Sequence, residues 1–215
     1  QREAGPMRIH DISRPVSPGI PVWPGDTPYT FEMVAKIADG SSVNVGSVHM
    51  SVHTGAHTDA PLHFEDGTSD IASVPLEKYL GPCVVAGVEP NDRVITPSDL
   101  HPDLGPLLRS HPRLLLRTYE QRPTAFDTGL AHATPARAAW RAEQGVVLLG
   151  VDTDSMDAFE SKDLLAHKRL LHHGIAILEG IDLSRVAPGS YQLVALPLRL
   201  VGADASPVRA VLIEP

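Results

Sequence analysis

Thr134-Pro-Ala-Arg-Ala-Ala-Trp-Arg-Ala-Glu-Gln-Gly-Val-Val-Leu-Leu-Gly150 is the stretch that decides the fold class. Thr134 is a residue type that caps helix N-termini, Pro135 suits a first helical position, and Gly145 suits a helix stop. The spacing predicts a helix over Pro135–Gln144, with Trp140 on its core side. The apolar run Val146–Gly150 follows at once, so the helix hands the chain straight to a buried strand, an α/β step. Working outward, other short apolar runs bounded by Gly or Pro read as strands: Val43–His53, Cys83–Val88, Arg113–Thr118, Ile175–Leu178, Tyr191–Leu196 and Arg209–Ile213. A second helix is expected over Ser161–His172, stopped by Gly174, and a weaker helical turn over Pro97–Leu100. Strands outnumber helices. The expected fold is therefore α/β: a single compact domain over residues 7–215, with a mixed central sheet or flattened barrel and a few outer helices. Residues 1–6, before Met7, are read as a tail outside that fold.

Composition narrows the function. The 215 residues carry 18 basic and 26 acidic side chains, a net charge of −8, and 42% of them are hydrophobic. That is an ordinary globular composition, long enough to bury a core without a disulfide or metal staple. A metal here would serve chemistry rather than folding. Nucleic-acid binding needs a positive stripe to neutralise phosphates, and none is visible. No apolar run reaches the ~20 residues that span a bilayer, and the start lacks the pattern of a secretory signal. The single cysteine, Cys83, sits in the apolar run Cys83-Val-Val-Ala86 and reads as a buried thiol in a protein of the reducing cytoplasm.

The chemistry concentrates in Ser51-Val-His-Thr-Gly-Ala-His-Thr-Asp-Ala-Pro-Leu-His63. Three histidines and one aspartate fall within 11 positions, 53 to 63. Upstream, Val48, Met50 and Val52 alternate with His49, Ser51 and His53, so His53 leaves the expected strand on its polar side. His53 and His57 have the i, i+4 spacing of helical zinc motifs. Gly55 between them and Pro61 just after favour instead a strand running into a tight loop. Such a loop can curl His53, His57 and Asp59 around one ion. Imidazole suits Zn²⁺, Mn²⁺ or Fe²⁺. Three protein ligands plus an open position make the catalytic pattern, in which water becomes acidic near neutrality. His63 stands beside these ligands as the acid–base group. His49 is read as structural or as support behind the ligands. Ser155 lies in Thr-Asp-Ser-Met-Asp and lacks the G-x-S-x-G elbow that a serine hydrolase needs.

The string from His53 to His63 resembles the cyclase family of metal hydrolases, marked by HxGTHxDxPxH. Ala56 departs from it, standing where the family usually has Thr. Asp11-Ile-Ser13, Val22-Trp-Pro-Gly-Asp26, Gly150-Val-Asp-Thr153, Ser155-Met-Asp157, Ile177-Leu-Glu-Gly180, Ala195-Leu-Pro-Leu198 and Asp204-Ala-Ser-Pro-Val-Arg209 extend the resemblance to the C-terminus. They are similar to the family's bacterial kynurenine formamidase (arylformamidase) branch. The resemblance implies two Zn²⁺ per subunit, with Mn²⁺ also suited to the ligands. One ion would be held by His53, His57 and Asp59. Asp59 would bridge to a second ion held by His167 and reached by Glu179. His167 is chosen over His172 and His173 because it stands 12 residues before Glu179, as in the family.

The resemblance further implies hydrolysis of N-formyl-L-kynurenine to L-kynurenine and formate, in tryptophan breakdown, by metal-activated hydroxide. His63 would take a proton from water and return it to the leaving aniline nitrogen. An imidazole, with an ordinary pKa of about 6.5, serves both directions near neutrality. Trp23, in a turn-rich loop, would stack on the aryl ring. Arg14 or Arg209 would bind the substrate carboxylate, and the sequence does not choose between them. The branch also implies a homodimer. Two other readings stay open: an isatin hydrolase-like amide or lactam hydrolase of the same family, and a metal-binding protein without catalysis.

Overall fold

The computed structural model describes residues 7–88, 93–99, 104–134 and 143–214. Thirteen strands occur among them: β1 Ile9–Asp11, β2 Thr30–Ala35, β3 Val45–His49, β4 His57–Asp59, β5 Leu80–Gly87, β6 Val94–Ile95, β7 Arg113–Arg117, β8 His132–Ala133, β9 Leu148–Val151, β10 Ala176–Glu179, β11 Gly189–Val194, β12 Ala205–Pro207 and β13 Val211–Ile213. Two helices accompany them, α1 Leu104–Leu108 and α2 Leu165–His172. Nine strands form one curled sheet in the order β1-β13-β11-β5-β7-β9-β10-β4-β12. The centre, β5-β7-β9-β10, is parallel, and the pairs on either side are antiparallel. The expected mixed α/β sheet with few helices is the fold observed.

The central strands are apolar on both faces, as parallel strands covered on both sides must be. Val84, Leu114, Leu116, Leu149, Val151 and Ile177 face one buried cluster, which also takes in Leu104 and Leu108 of α1 and Ala166 and Leu170 of α2. Their neighbours Cys83, Val85, Leu115, Leu148, Ala176 and Leu178 face a second cluster with Ile12, Tyr79, Leu193 and Leu212. Each fully buried leucine here contributes about 1.5–3 kcal/mol. Strand packing is tight at Gly150, where a Cβ would lie 2.3 Å from Leu115 Cδ2. Cys83 is fully buried and its thiol is pushed up to about 12 by desolvation, an inert side chain as expected.

Several expectations are corrected. The single strand Val43–His53 is instead β3, ending at His49, followed by turns through residues 52–55. β3 pairs with β2, which the sequence reading missed, in a separate two-stranded ribbon. The alternation misled because it lies on no core: every β3 residue is exposed, Val48 at 57%, and His49 is exposed at the strand end. The order of strand and loop is thus reversed at the histidine motif, since the loop precedes β4. α2 starts at Leu165 rather than Ser161, because Leu164 adopts a left-handed backbone (φ 48°). The weak turn at Pro97 is a 3-10 turn over Pro97–Asp99, and Leu100 lies outside the described residues. Residues 135–142 also lie outside them, and with them most of the expected helix Pro135–Gln144 and its Trp140. No described helix is long and apolar enough to cross a membrane.

Candidate metal centre

β4 lies between β10 and β12, with His57 opposite Glu179 and Asp59 opposite Ile177. Residues two apart on a strand share a face, and directly opposed side chains are neighbours. The pairing alone therefore sets His57, Asp59 and Glu179 together on one face. Two glycines make the approach tight. A Cβ at Gly180 (φ +69°) would fall 2.1 Å from the carbonyl oxygen of Gly55, so only glycine lets the end of β10 press against the loop that launches β4.

The remaining groups arrive from a helix and from turns. His167 comes from the first turn of α2, which Asp157 caps by accepting from the Ala166 and His167 amides, both at 3.0 Å. His53 sits in the turn before β4, and His63 ends a 3-10 turn over Pro61–His63. Asp59 is the hub. Its Oδ1 lies 3.2 Å from His53 Nδ1 and 3.6 Å from His57 Nε2, and its Oδ2 lies 3.9 Å from His167 Nε2. Glu179 reaches His167 Nε2 at 2.9 Å with one oxygen and His57 Nε2 at 3.4 Å with the other. Thus His53, His57, Asp59, His167 and Glu179 converge from four places in the chain: a turn, β4, α2 and β10. The rivals His172 and His173 are exposed at the far end of α2.

This donor set fits a metal. Asp59 Oδ1 is buried and accepts no hydrogen bond, an orphan that a buried carboxylate does not normally tolerate. Each imidazole that faces Asp59 has its other nitrogen tied to an oxygen: His57 Nδ1 to the Gly55 carbonyl at 3.0 Å, His167 Nδ1 to Asp157 at 2.6 Å, and His53 Nε2 to Asp204 at 2.9 Å. That tie fixes the tautomer and turns a lone pair toward the hub, the arrangement found behind metal-ligating histidines. Ligand atoms of His53, His57 and Asp59, and likewise of Asp59, His167 and Glu179, lie within 4.8 Å of one another.

The electrostatics agree. Burial by itself would lower the histidine pKa values, but the carboxylates outweigh it. Asp59 and Asp204 push His53 up to about 9, Glu179 and Asp59 raise His57, and Glu179 and Asp157 push His167 up to about 10. Burial would likewise raise Glu179, yet His167 and His57 hold it well below the carboxylate range. The pocket demands positive charge, and protons supply it until a metal does.

Two carboxylates escaped the sequence reading. Asp204 Oδ2 is shared by His53 Nε2 and His63 Nδ1, the latter at 2.7 Å. Asp157 orients His167. Both stand in motifs that carried the resemblance, but nothing local marks them among the 26 acidic residues.

The centre floors a cavity of about 380 Å³ whose wall includes Trp23, Phe64, Phe126 and Ser155. Trp23, 36% exposed, stands 5.3 Å from Phe126 and 5.1 Å from Phe159, ring to ring. Ala56 packs in the second apolar cluster, with Ile12 and Tyr79. Ser155 is buried, and its hydroxyl accepts from the Asp157 amide rather than meeting a histidine among the described residues. Neither expected arginine lines the cavity. Arg209 pairs with Asp11 at the surface, its side chain 77% exposed. Arg14 lies behind the wall, 3.7 Å from Asp154.

Comparison with known proteins gives a consistent result. The family model described as "Putative cyclase" matches residues 10–158. A solved potential metal-dependent hydrolase with cyclase activity is 26% identical with a TM-score of 0.81, covering 97% of this chain and 98% of that one. A predicted metal-dependent hydrolase from Bacillus stearothermophilus is 27% identical with a TM-score of 0.80, covering 98% and 100%. Isatin hydrolase A from Labrenzia aggregata, bound to benzyl benzoate, shares the fold at 22% identity and a TM-score of 0.79, covering 97% and 94%.

Proposed function

The chain belongs to the cyclase family, and on that premise we propose that it is a metal-dependent hydrolase that converts N-formyl-L-kynurenine and water to L-kynurenine and formate. The observation that carries this reading is the orphaned Asp59 Oδ1, ringed by imidazoles at the floor of an aromatic-walled cavity. His53, His57 and Asp59 would hold one ion, and Asp59, His167 and Glu179 a second, with zinc the first choice and manganese also suited. Such ions supply Lewis acidity toward a carbonyl oxygen and make water nucleophilic near neutral pH.

The chain's own groups do the rest. Trp23 and Phe126, with Phe159 bracing Trp23 from outside the cavity, hold the aryl ring and exclude water. Asp204 accepts from His63 Nδ1 and so leaves His63 Nε2 free as the proton acceptor. His63 takes a proton as water adds to the formyl carbon. It returns that proton to the aniline nitrogen as the C–N bond breaks, releasing formate and the amine.

A second reading is an isatin hydrolase-like opening of a lactam. It is supported by the shared fold and by an aromatic cavity wall that would also hold a flat bicyclic ring. A metal-binding protein without catalysis has no use for His63 and Trp23, which stand outside the ligand set. We take the protein to work in the cytoplasm, which the single buried thiol suits. We also take it to be a homodimer, for which the exposed apolar ribbon β2–β3 offers a surface. Turnover of N-formyl-L-kynurenine against isatin by the zinc-loaded protein tests the assignment. Faster cleavage of the formamide is expected, and preference for isatin would replace it with the second reading.

A further inference from the structure

Asp154 lines the cavity beside Trp23 and Phe126. Its Oδ1 accepts from Arg122 Nη2 at 2.5 Å, and Arg14 Nη2 lies 3.7 Å from the same oxygen. Both arginines are partly buried, and their side chains are largely withdrawn from solvent, Arg122 5% and Arg14 11% exposed. Arg122 is anchored by donating to the Ile181 carbonyl at 2.9 Å. Yet the Nε groups of both, and Nη2 of Arg14, are buried without a hydrogen-bond partner. Burying two like charges side by side with unpaired donors is costly, so the arrangement calls for a reason. The carboxylate that both approach is Asp154, on the cavity wall, while Asp182 also attracts Arg14 and Asp152 also feels Arg122. The two arginines occupy the Oδ1 side of Asp154, and its Oδ2 accepts no hydrogen bond among the described residues.

The charge of the wall points the same way. Among the described residues no lysine or arginine lines the cavity, whereas Asp26 and Asp154 do so in addition to Asp59 and Glu179. Beyond the histidines of the centre and the ions they would hold, an anionic end of a ligand finds no cation among the described residues of this wall. A cationic donor finds Asp154, held by guanidiniums that themselves stay out of the cavity.

We propose that Asp154 is a specificity-determining residue that receives the ammonium group of the substrate, so that the enzyme prefers aryl formamides bearing an aliphatic amine over neutral formanilides and fused lactams. The proposal rests on reading the cavity as an amide hydrolase site. An ammonium is a compact charge with three donors, and a site built to bond it discriminates against an analogue that leaves the acceptor unpaired.

The test uses the zinc-loaded protein. The kcat/KM for N-formyl-L-kynurenine is compared with that for the same formamide lacking the α-amine. A preference of about 10- to 100-fold for the amine is expected, the usual worth of a hydrogen bond to a charged group. Asp154→Asn keeps an oxygen for Arg122, and in it this preference should collapse toward one, mainly through KM. A purely structural Asp154 would lower both substrates alike and leave the ratio intact. Binding of L-kynurenine and of 4-(2-aminophenyl)-4-oxobutanoate, which lacks only the α-amine, measured by calorimetry, reads the same subsite without turnover. Equal affinity of the two in the wild type, or an unaltered ratio in Asp154→Asn, overturns the proposal. Tighter binding of L-kynurenine, lost in Asp154→Asn, with neither formamide cleaved, would keep the ammonium subsite and overturn the reaction assigned to it.

Discussion

His57 and His53 stand four residues apart and face the same aspartate oxygen, yet they are held by different means. His57 lies on β4, 4% exposed, with Nδ1 tied to a main-chain carbonyl. His53 lies in a turn, its side chain 19% exposed, with Nε2 tied to an aspartate that is itself 39% exposed. The contrast extends to their companions. On the inner side, His167, Asp59 and Glu179 come from regular elements and are buried, with Asp157 locking His167. On the outer side, His53, His63 and Asp204 sit on turns at the cavity mouth, joined through one carboxylate oxygen. A metal needs fixed lone pairs, which strands, a capped helix and, for His53, a turn tied to Asp204 supply. A proton carrier needs access to water and product, which a half-exposed turn supplies.

Breaking the hub should have the largest effect. Asp59→Asn removes the one charge that every ligating imidazole faces, so metal content by elemental analysis and turnover should both fall to background. His63→Ala should retain full metal content while kcat drops by ~10²–10⁴, the usual worth of a general acid–base group. If the metal leaves with His63, the division between inner and outer halves is wrong.

The two supporting carboxylates sharpen the same contrast. Asp157→Asn should weaken metal affinity by about 10- to 100-fold, as loss of a histidine's outer partner does, measured by competition with a chelator. Asp204→Asn should also weaken metal affinity, because His53 loses its outer partner, and should in addition lower the kcat of the fully loaded protein, because His63 loses its orientation. Loss of kcat at full metal loading in Asp157→Asn but not in Asp204→Asn would exchange the roles of the halves.

The smallest effect concerns the metal-free protein. His53 and His167 have pKa values of about 9 and about 10, above the ordinary imidazole value, because they gain carboxylate partners on folding. Their contribution to stability is therefore fully present below about pH 6.5 and is lost as pH rises through 9 to 10. The urea midpoint of chelator-treated protein should fall across that upper range. Zinc-loaded protein, whose imidazoles are already deprotonated, should show no such fall and should instead release metal on acidification.

The sequence exposed β4 and its flanking turns better than the rest of the centre. His53, His57, Asp59 and His63 were legible because metal-competent side chains at that density have no packing explanation. His167 and Glu179 were legible only through family resemblance, since their meeting depends on β10 pairing with β4 across more than a hundred residues. Asp204 and Asp157 had no local signature at all. The central strands were visible as apolar runs because both faces are buried. Strands of two or three residues, such as β4, β6 and β12, are too short to show a period. Val43–His53 was misread because alternation looks the same whether a strand packs on a core or, like β3, stands in a ribbon off the main sheet. No pattern in the sequence could say that Arg14 stands behind Asp154 while Arg209 lies on the surface.

Anomalous diffraction from crystals grown with zinc tests the account most directly. It predicts density bonded to Asp59 and to His53 Nδ1, His57 Nε2 and His167 Nε2, at ligand distances of about 2.0–2.2 Å. Side chains placed as described, with no anomalous density among them at saturating zinc, would contradict it.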